Sequence, residues 1–327
     1  MSASGAKPVY SALVTGGAGF IGSTLVDRLL AEGHTVDVVD DLSSGSLANL
    51  AEARTAGSGR FHFHQLDIRS HDVVGLMERR KPEVVFHLAA QKDVRVSVDD
   101  PVLDADINIL GSLRVLEGAR VGGARKFVFA ASGGTLYGDT DQLPTKESAP
   151  HQPVSPYGIT KKAFIDYLFA YRALHGLEYA ALALSNVYGP RQDPHGEAGV
   201  VAIFAGRLLA GEPCLIYGDG SQTRDYVYVD DVVDAFSRAS GRGSGLICNI
   251  GTSTETSVND LYWTMARNAG IDQPPLYAPA RAGELQRSSL DIGRAAIHLG
   301  WKPWTTLEKG TAAVLEWSQA KASAAAG

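Results

Sequence analysis

The sequence predicts an α/β protein built on a doubly wound parallel sheet, with a second and smaller lobe. Three observations support this prediction. Short apolar runs alternate with stretches of helical spacing in the first half of the chain, and a glycine-rich turn joins the first run to the first helical stretch. After about residue 187 the rhythm breaks into turns rich in glycine, proline and charge. Strands that alternate with helices form right-handed β-α-β units, and such units build parallel sheets.

The elements can be assigned in chain order. Residues 10–16 are a short apolar run that ends in glycine, which is typical of a buried strand. Residues 19–33 have apolar side chains at positions 21, 25, 26, 29 and 30, which is helical spacing, and Gly33 ends that helix. Further strands are predicted at 34–40, 61–68, 83–90 and 126–132, and helical stretches lie between them, notably at 71–80 and 102–121.

The change in rhythm also predicts two domains. Residues 9–187 form the first domain, and the chain returns to it near 225–250. Residues 188–224 and 251–316 form the smaller α/β domain. No internal repeat or low-complexity linker interrupts this arrangement.

The composition limits the classes of function. The chain has 327 residues, 45% of them hydrophobic, and a net charge of −6, which argues against a nucleic acid or an anionic membrane as partner. Neither cysteine, Cys214 or Cys248, has a metal-ligand spacing, and we expect both to be buried thiols in a reducing compartment. No run approaches the roughly 18–20 apolar residues of a membrane span. Residues 1–8 contain no apolar signal core, so we predict a cytoplasmic protein. We also predict that it has no metal site.

The glycine-rich turn predicts a dinucleotide site. "VTGGAGFIG" places three glycines at a G-x-x-G-x-x-G spacing between a strand and a helix, where backbone N–H groups can approach a pyrophosphate. Asp40 ends the next strand and can accept hydrogen bonds from the adenosine ribose. Because acidic residues would repel a 2′-phosphate there, the pattern favours NAD over NADP. The predicted contacts in this region are Gly16, Gly19, Phe20, Ile21, Gly22, Asp40, Asp41, Leu42, Ser43 and Gly45.

Two later strand ends extend the predicted cofactor site. Asp67, followed by Ile68, could accept from the adenine amino group or simply end a strand. "HLAAQK" ends the next strand with small residues, which lets Leu88, Ala89 and Ala90 pass close to a cofactor. Lys92 could reach a ribose hydroxyl or be solvated. We interpret His87 as a core histidine with satisfied hydrogen bonds.

The motifs TGGAGFIG, VVDDL, HLAAQ, YGITKK and NVYGP together resemble the extended short-chain dehydrogenase/reductase family. Within it the chain is similar to nucleotide-sugar 4-epimerases of the UDP-glucose 4-epimerase type, from residue 10 to about residue 316. The resemblance implies a Rossmann-type domain with tightly held NAD, and a small C-terminal domain that grips a nucleoside diphosphate sugar carrying UDP or dTDP.

"SPYGITKK" carries the predicted catalytic pair. On a helix Tyr157 and Lys161 share one face, about 5–6 Å apart at Cβ. A free phenol has a pKa near 10, too high for a base at neutral pH, but a nearby ammonium and the positive nicotinamide favour the phenolate. The resemblance implies that Lys161 also binds the nicotinamide ribose. It implies that Tyr157 exchanges a proton with the sugar's 4-hydroxyl while C4 loses and regains a hydride.

One position departs from the family pattern. Members of the family have Ser or Thr four residues before the Tyr-Gly pair, where this chain has Gly133. Ser132 precedes that position and Thr135 follows it by two residues. We predict that Ser132 takes the role, with Thr135 or a water as the alternative.

The resemblance implies further site residues. Asn108 would support Lys161 or the cofactor, or otherwise be an ordinary helix-interior residue. Asn186 would donate to the diphosphate, and Arg224 and Arg281 would clamp it, because guanidinium groups suit phosphate oxygens. Glu284 would reach the uridine ribose. The full predicted substrate set is Ser132, Gly133, Tyr157, Asn186, Val200, Arg224, Arg281 and Glu284.

Several alternatives remain open from the sequence. A 4,6-dehydratase needs an acid and a base where this chain has Gly134 and Thr135. A uronate epimerase or decarboxylase needs a cation near C6, for which "GPRQDP" offers Arg191. A non-catalytic NAD-binding regulator is the other class. A small Ser288 would admit an N-acetyl sugar. The helix "KAFIDYLFAYRAL" is apolar on most sides, so two of its sides should be buried, one of them on the sheet. The resemblance implies a homodimer through the other side, and complete burial within the monomer is the alternative.

Overall fold

The structure is a computed structural model that describes residues 9–194, 199–280 and 285–326. The strands are β1 (Ser11–Thr15), β2 (Thr35–Asp40), β3 (Phe61–Gln65), β4 (Val84–His87), β5 (Lys126–Ser132), β6 (Glu178–Leu184), β7 (Asn186–Tyr188), β8 (Leu215–Tyr217), β9 (Thr223–Arg224), β10 (Tyr226–Tyr228), β11 (Leu246–Ile250), β12 (Thr256–Ser257) and β13 (Leu276–Ala278).

The helices follow in the same chain order. They are α1 (Phe20–Ala31), α2 (Ala51–Ala56), α3 (Asp72–Arg80), α4 (Val94–Asp99), α5 (Pro101–Ala105), α6 (Ser112–Gly122), α7 (Gly133–Leu136), α8 (Pro156–His175), α9 (Val200–Leu209), α10 (Val229–Ala239), α11 (Val258–Asn268), α12 (Gly293–His298) and α13 (Leu307–Ala326). A 3₁₀ turn (Leu47–Leu50) precedes α2, and a π-helical segment (Asp106–Gly111) joins α5 to α6.

Seven parallel strands form the central sheet, in the order β11-β6-β5-β4-β1-β2-β3. This confirms the predicted α/β fold with a doubly wound parallel sheet. The chain starts in the middle at β1, builds outward through β2 and β3, and then crosses to β4 on the other side. In such sheets the crevice lies where the strand order reverses, at the carboxyl ends of the strands. Here that point is between β1 and β4.

Both faces of the sheet are covered, which explains why its strands read as continuous apolar runs. Leu13 and Val39 face a core formed with α3, α6 and α8, and both are fully buried. Their neighbours Val14 and Val38 face the opposite core, formed with α1 and α10. Alternate side chains of one strand therefore enter different cores.

The long helix predicted at 102–121 is not a single α-helix. It consists of α5, the π-helical segment and α6 in succession. A π segment adds one residue to a turn and is frequent at functional sites. In this chain the segment contains Asn108, whose side-chain contacts are described below.

Three two-stranded pairs are formed by strands outside the main sheet. β7 pairs with β10 and β8 with β13, both in parallel, and β9 pairs with β12 antiparallel. Helices α9, α11 and α13 pack against one another beside them. Among the helices in the described ranges, none is both long and apolar enough to cross a bilayer.

Candidate active site

The glycine-rich loop lies in the crevice between β1 and β4. Gly16 has φ +69°, and a side chain there would place a Cβ 2.7 Å from the backbone nitrogen of Ala89. A Cβ on Gly22 would overlap the Gly16 carbonyl oxygen, so helix α1 also requires glycine to pack on the loop. Gly19 is the N-cap of α1, and Phe20, Ile21 and Gly22 follow it in the first turn. Backbone exposed beside a helix N-terminus in this way fits a pyrophosphate.

Asp40 organises the loop that follows β2. One carboxylate oxygen accepts the Ala18 N–H at 2.9 Å, and the other accepts the Leu42 N–H at 2.9 Å. Burial raises the pKa of Asp40, and the two amide hydrogen bonds oppose that effect. Gly45 passes close by, since a Cβ there would lie 2.8 Å from Asp40 Oδ1. Each carboxylate oxygen keeps a lone pair that a ribose hydroxyl could use.

A cavity of about 300 Å³ opens beside this loop. Many residues predicted for the cofactor line it: Gly16, Asp40, Asp41, Ser43, Asp67, Ile68, Ala89, Ala90 and Lys92. The cavity is bounded by the ends of β1 to β4, where the sequence predicts the adenosine half of the cofactor. Leu88 lies directly after β4 and donates its N–H to Thr15.

Arg69 also lines this cavity and was not predicted from the sequence. Its guanidinium pairs with Asp67 at 2.6 Å and with Asp106 at 3.1 Å. The hydrogen bonds from Arg69 hold the pKa of Asp67 below its usual range. An adenine amino group bound here would therefore share the Asp67 carboxylate with Arg69. The Asp-x-Arg spacing after a strand was the available signal.

The Tyr157–Lys161 pair lies in the first turns of α8. Ser155 caps the helix by accepting the Gly158 N–H, and Pro156 occupies its first position, where no backbone donor is needed. Lys161 Nζ lies 5.7 Å from the centre of the Tyr157 ring. It also lies 4.8 Å from the Phe129 ring centre and donates to the Ala130 carbonyl at 3.1 Å.

The electrostatics of the pair differ from the sequence-based expectation. Burial raises the pKa of Tyr157 to about 12, although a hydrogen bond with the Ser132 side chain lowers it. Burial also lowers the pKa of Lys161 to about 8, and the Asp104 carboxylate opposes this. Desolvation of the phenol therefore dominates, and the opposing effect comes from Ser132 instead of the lysine that was expected to lower the pKa. The chain by itself holds Tyr157 protonated at neutral pH.

Ser132, and not its neighbour, carries the hydroxyl next to Tyr157. Ser132 ends β5, and its side chain lies near enough to Tyr157 to lower the pKa of the phenol. A Cβ on Gly133 would overlap the Leu290 side chain and lie 3.1 Å from the Ala183 carbonyl oxygen, so this position excludes a serine or threonine. The Thr135 hydroxyl is buried and has no hydrogen-bond partner within the described ranges.

Asn108 supports the loop after β4. Its side chain accepts the Gln91 N–H and donates to the Gln91 carbonyl, both at 2.9 Å. It also donates to Asp104 at 2.9 Å. Asn108 thus holds the backbone that follows Ala90, which borders the cofactor cavity. It reaches helix α8 through a long contact of 3.5 Å to Thr160.

His87 is a core residue, as its sequence context predicts. It has no solvent exposure and lies between the Thr15 and Ser112 hydroxyls, at 2.7 and 2.8 Å. Burial, with a smaller contribution from the Lys161 charge, lowers the pKa of His87 to about 3. The imidazole is therefore neutral at physiological pH.

The predicted substrate residues lie in the later segments. Asn186 begins β7 with an exposed side chain, and Arg224 is half-buried in β9, where it donates to the Thr223 carbonyl at 2.8 Å. Val200 is the first residue of α9. Arg281 and Glu284 lie outside the described residues. Ser288 is 8% exposed.

Asp225, also missed from the sequence, connects these segments. It is fully buried, and its carboxylate accepts the backbone N–H groups of Thr252 and Leu290 at 2.7 and 3.1 Å. Its carbonyl accepts the Asn186 N–H at 2.9 Å. Residues around 186, 224, 252 and 290 are thereby held together.

Comparison with known proteins identifies the family. The model of the NAD dependent epimerase/dehydratase family matches residues 12–251. The UDP-glucose 4-epimerase of Mycolicibacterium smegmatis is 53% identical over 310 residues, covering 94% of this chain and 98% of that protein.

Two solved structures have the same architecture. The Thermotoga maritima UDP-glucose 4-epimerase with UDP-glucose matches with a TM-score of 0.91 and 44% identity, covering 95% of this chain and 99% of that one. The Thermus thermophilus UDP-glucose 4-epimerase complex with NAD matches with a TM-score of 0.87 and 40% identity, covering 94% and 99%. These similarities confirm the resemblance stated from the motifs, and with it NAD as the cofactor. The chain belongs to the NAD dependent epimerase/dehydratase family.

Proposed function

We propose that this chain is an NAD-dependent nucleotide-sugar 4-epimerase that interconverts UDP-glucose and UDP-galactose. The observation that carries the proposal is the Tyr157–Lys161 pair on α8, with the Ser132 side chain next to the tyrosine. The chain belongs to a family in which the relatives reported above are named UDP-glucose 4-epimerases. Inversion at C4 involves no net oxidation, so the enzyme needs no second substrate.

The residues that would hold NAD are those of the crevice between β1 and β4. The glycine loop and the start of α1 would take the pyrophosphate, and Asp40 would take the adenosine ribose. Asp67, together with the small residues after β4, would enclose the adenine. When bound, NAD supplies a reversible store for the hydride of the sugar's C4.

The chain's own groups handle the proton. Tyr157 would accept the proton of the 4-hydroxyl and return it after the 4-keto sugar has turned over in the site. The pKa of Tyr157 is about 12 in the chain alone. The oxidised cofactor carries a positive charge, and a positive charge close to a phenol favours its phenolate. Ser132 would donate to the reacting oxygens, and Lys161 would hold the nicotinamide ribose.

The substrate would lie between the Rossmann domain and the smaller domain. The limits of both domains are those predicted from the sequence. Asn186, Arg224 and Arg281 would bind the diphosphate, and Glu284 the ribose of the nucleoside. Gly133 and Val200 would border the sugar. The buried Asp225 supports this arrangement because it holds the segments of Asn186 and Arg224 next to each other.

The structure gives reasons to prefer this function over the alternatives. Gly134 and Thr135 offer no acid–base pair for dehydration. Arg191, the candidate cation for a uronate, instead pairs with Asp27 at 2.6 Å and with Glu52 at 3.5 Å. The intact Tyr157–Lys161 pair argues against a regulator. The small Ser288 keeps N-acetyl sugars as a second substrate class, and dTDP as a second nucleotide.

A homodimer is part of the proposal. Helix α8 exposes Tyr167 and Leu174, which are 41% and 75% exposed. Tyr167 lines a groove of about 600 Å³ between α3, α6 and α8. The adjoining helices expose Val98 and Val102, at 60% and 77%. Exposed apolar side chains favour contact with another protein, and a second copy presents the same surface. The cytoplasmic location stays a prediction.

The test is incubation of the purified protein with UDP-glucose, UDP-galactose, their N-acetyl forms and UDP-glucuronate, with products identified by NMR. We expect C4 inversion of the neutral sugars. The Tyr157→Phe variant is the control and should retain the fold and bound NAD without turnover. Exclusive turnover of the uronate, or full activity of the Phe variant, would refute the proposal.

A further inference from the structure

Asp104 is a buried acidic residue to which the proposed function gives no role. It lies in α5 and has no solvent exposure. Its Oδ1 accepts from Gln91 Nε2 at 3.0 Å and from Asn108 Nδ2 at 2.9 Å, and its Oδ2 contacts the Thr160 hydroxyl at 2.8 Å. Burying a carboxylate is costly unless it is hydrogen-bonded and compensated by charge. Its position therefore calls for an explanation.

The contacts of Asp104 lead directly to the catalytic pair. Thr160 precedes Lys161 and follows Tyr157 by three residues, and its hydroxyl also lies 2.9 Å from the Tyr157 carbonyl oxygen. The Asp104 carboxylate raises the pKa of Lys161 against the effect of burial. It raises the pKa of Tyr157 as well, because a negative charge disfavours the phenolate.

We propose that Asp104 is a positioning residue that fixes the start of α8 through Thr160 and acts as the buried counter-charge of the Tyr157–Lys161 pair. It thereby sets the pH range in which the pair works. This inference rests on the proposed function, since the pair must catalyse for a pH profile to exist. Asp104 lies 53 positions before Tyr157 in the chain, counted as 157 minus 104.

Other charged or titratable groups on the elements packed against α8 do not act on both members of the pair. His87 on β4 is held neutral between two hydroxyls, and β5 faces Lys161 with the Phe129 ring and the Ala130 carbonyl. Further groups on these elements have other partners: Asp93 caps α4, Asp106 pairs with Arg69, Glu117 with Arg120, Glu178 with Arg172, and Tyr137 with Asn249. Asp99 of α4 is exposed and is not among the groups that shift the pKa of either member of the pair. Among described residues, Asp104 is therefore the acidic group coupled to both members of the pair.

The Asp104→Asn substitution can isolate the charge. The amide oxygen can keep the hydrogen bonds from Gln91 and Asn108. The amide nitrogen can donate to the Thr160 hydroxyl, which then donates to the Tyr157 carbonyl 2.9 Å away. The hydrogen-bond network is thus retained while the negative charge is removed.

The experiment measures kcat against pH for the holoenzyme with UDP-galactose. In Asp104→Asn both limbs of the profile should move to lower pH by about one unit, because the carboxylate raises both pKa values. Asp99→Asn removes the same formal charge from an exposed position of α4 and should leave both limbs in place. Thr160→Val keeps the Asp104 charge but removes the hydroxyl that joins Asp104 to the Tyr157 carbonyl. It should lower kcat without moving the limbs of the profile to lower pH.

A lower maximum with unmoved limbs in Asp104→Asn would mean a structural role only and would overturn the proposal. Equal shifts in Asp99→Asn would overturn it too, since they would show an effect of total charge. If Asp104→Asn does not fold, Asp104→Ser removes the same charge and leaves room for water. If the wild type epimerises no sugar, the proposed function fails. In that case the Tyr157 phenol can still be titrated by ultraviolet difference spectroscopy in the NAD-loaded protein, with Tyr157→Phe as the reference. This titration shows whether the pKa of Tyr157 falls when Asp104 is replaced.

Discussion

Replacing Ser132 with alanine tests which hydroxyl assists Tyr157. The Ser132 side chain lies next to the tyrosine, and hydrogen bonding from it lowers the pKa of the phenol. A hydrogen bond to a group that becomes charged contributes about 1.5–3 kcal/mol, so its loss should reduce kcat about 10- to 150-fold. The KM for the nucleotide sugar should change less, because the bond matters most when the phenolate forms.

The assay is conversion of UDP-galactose to UDP-glucose, with NAD content measured on the same preparations. Thr135→Ala is the matched control, because the Thr135 hydroxyl is buried without a hydrogen-bond partner in the described part of the chain. We expect that variant to stay within about 3-fold of the wild type, as the loss of an unpaired hydroxyl costs little. The reasoning is refuted if Thr135→Ala loses activity and Ser132→Ala retains it.

Three further predictions follow from the geometry. Gly16→Ala places a Cβ 2.7 Å from the Ala89 nitrogen at φ +69°, so the purified protein should lose bound NAD and melt at a lower temperature; NAD retained at wild-type level contradicts this. The pKa of His87 falls from 6.5 to about 3 on folding, so its contribution to stability is present above pH 6.5 and is lost as pH falls toward 3. Urea unfolding should show a loss of about 1.4 kcal/mol per pH unit in that window, absent in His87→Gln; equal slopes would count against it. Tyr167→Glu puts a charge in the groove on α8 and should give a monomer in sedimentation, while a dimer of unchanged stability would place the interface elsewhere.

Much of the fold followed from the sequence because most strands of the sheet are buried on both faces. Their apolar runs stand out between helices, as in β1, β2 and β5. β6 was not assigned, since Glu178–Leu184 is rich in alanine and has little strand preference of its own. Its pairing with β5 and β11 makes it a strand. The π segment could not be read either, because the side-chain contacts of Asn108 with Gln91 involve another part of the chain.

The candidate site was predictable where short motifs carry it and not where burial or distant partners decide. The glycine loop and the Tyr157–Lys161 pair are local patterns. The direction of the Tyr157 pKa depends on desolvation, which only the folded chain determines. Asp104 and Asp225 escaped notice because their partners, Thr160 and Leu290, are 56 and 65 residues away in the sequence.

The most direct test of catalysis at C4 uses UDP-galactose labelled with deuterium at that carbon. Hydride storage and return within one site, with Tyr157 moving only the hydroxyl proton, predicts UDP-glucose that retains the deuterium at C4. Loss of the label to solvent, or deuterium at any other carbon, would contradict the account.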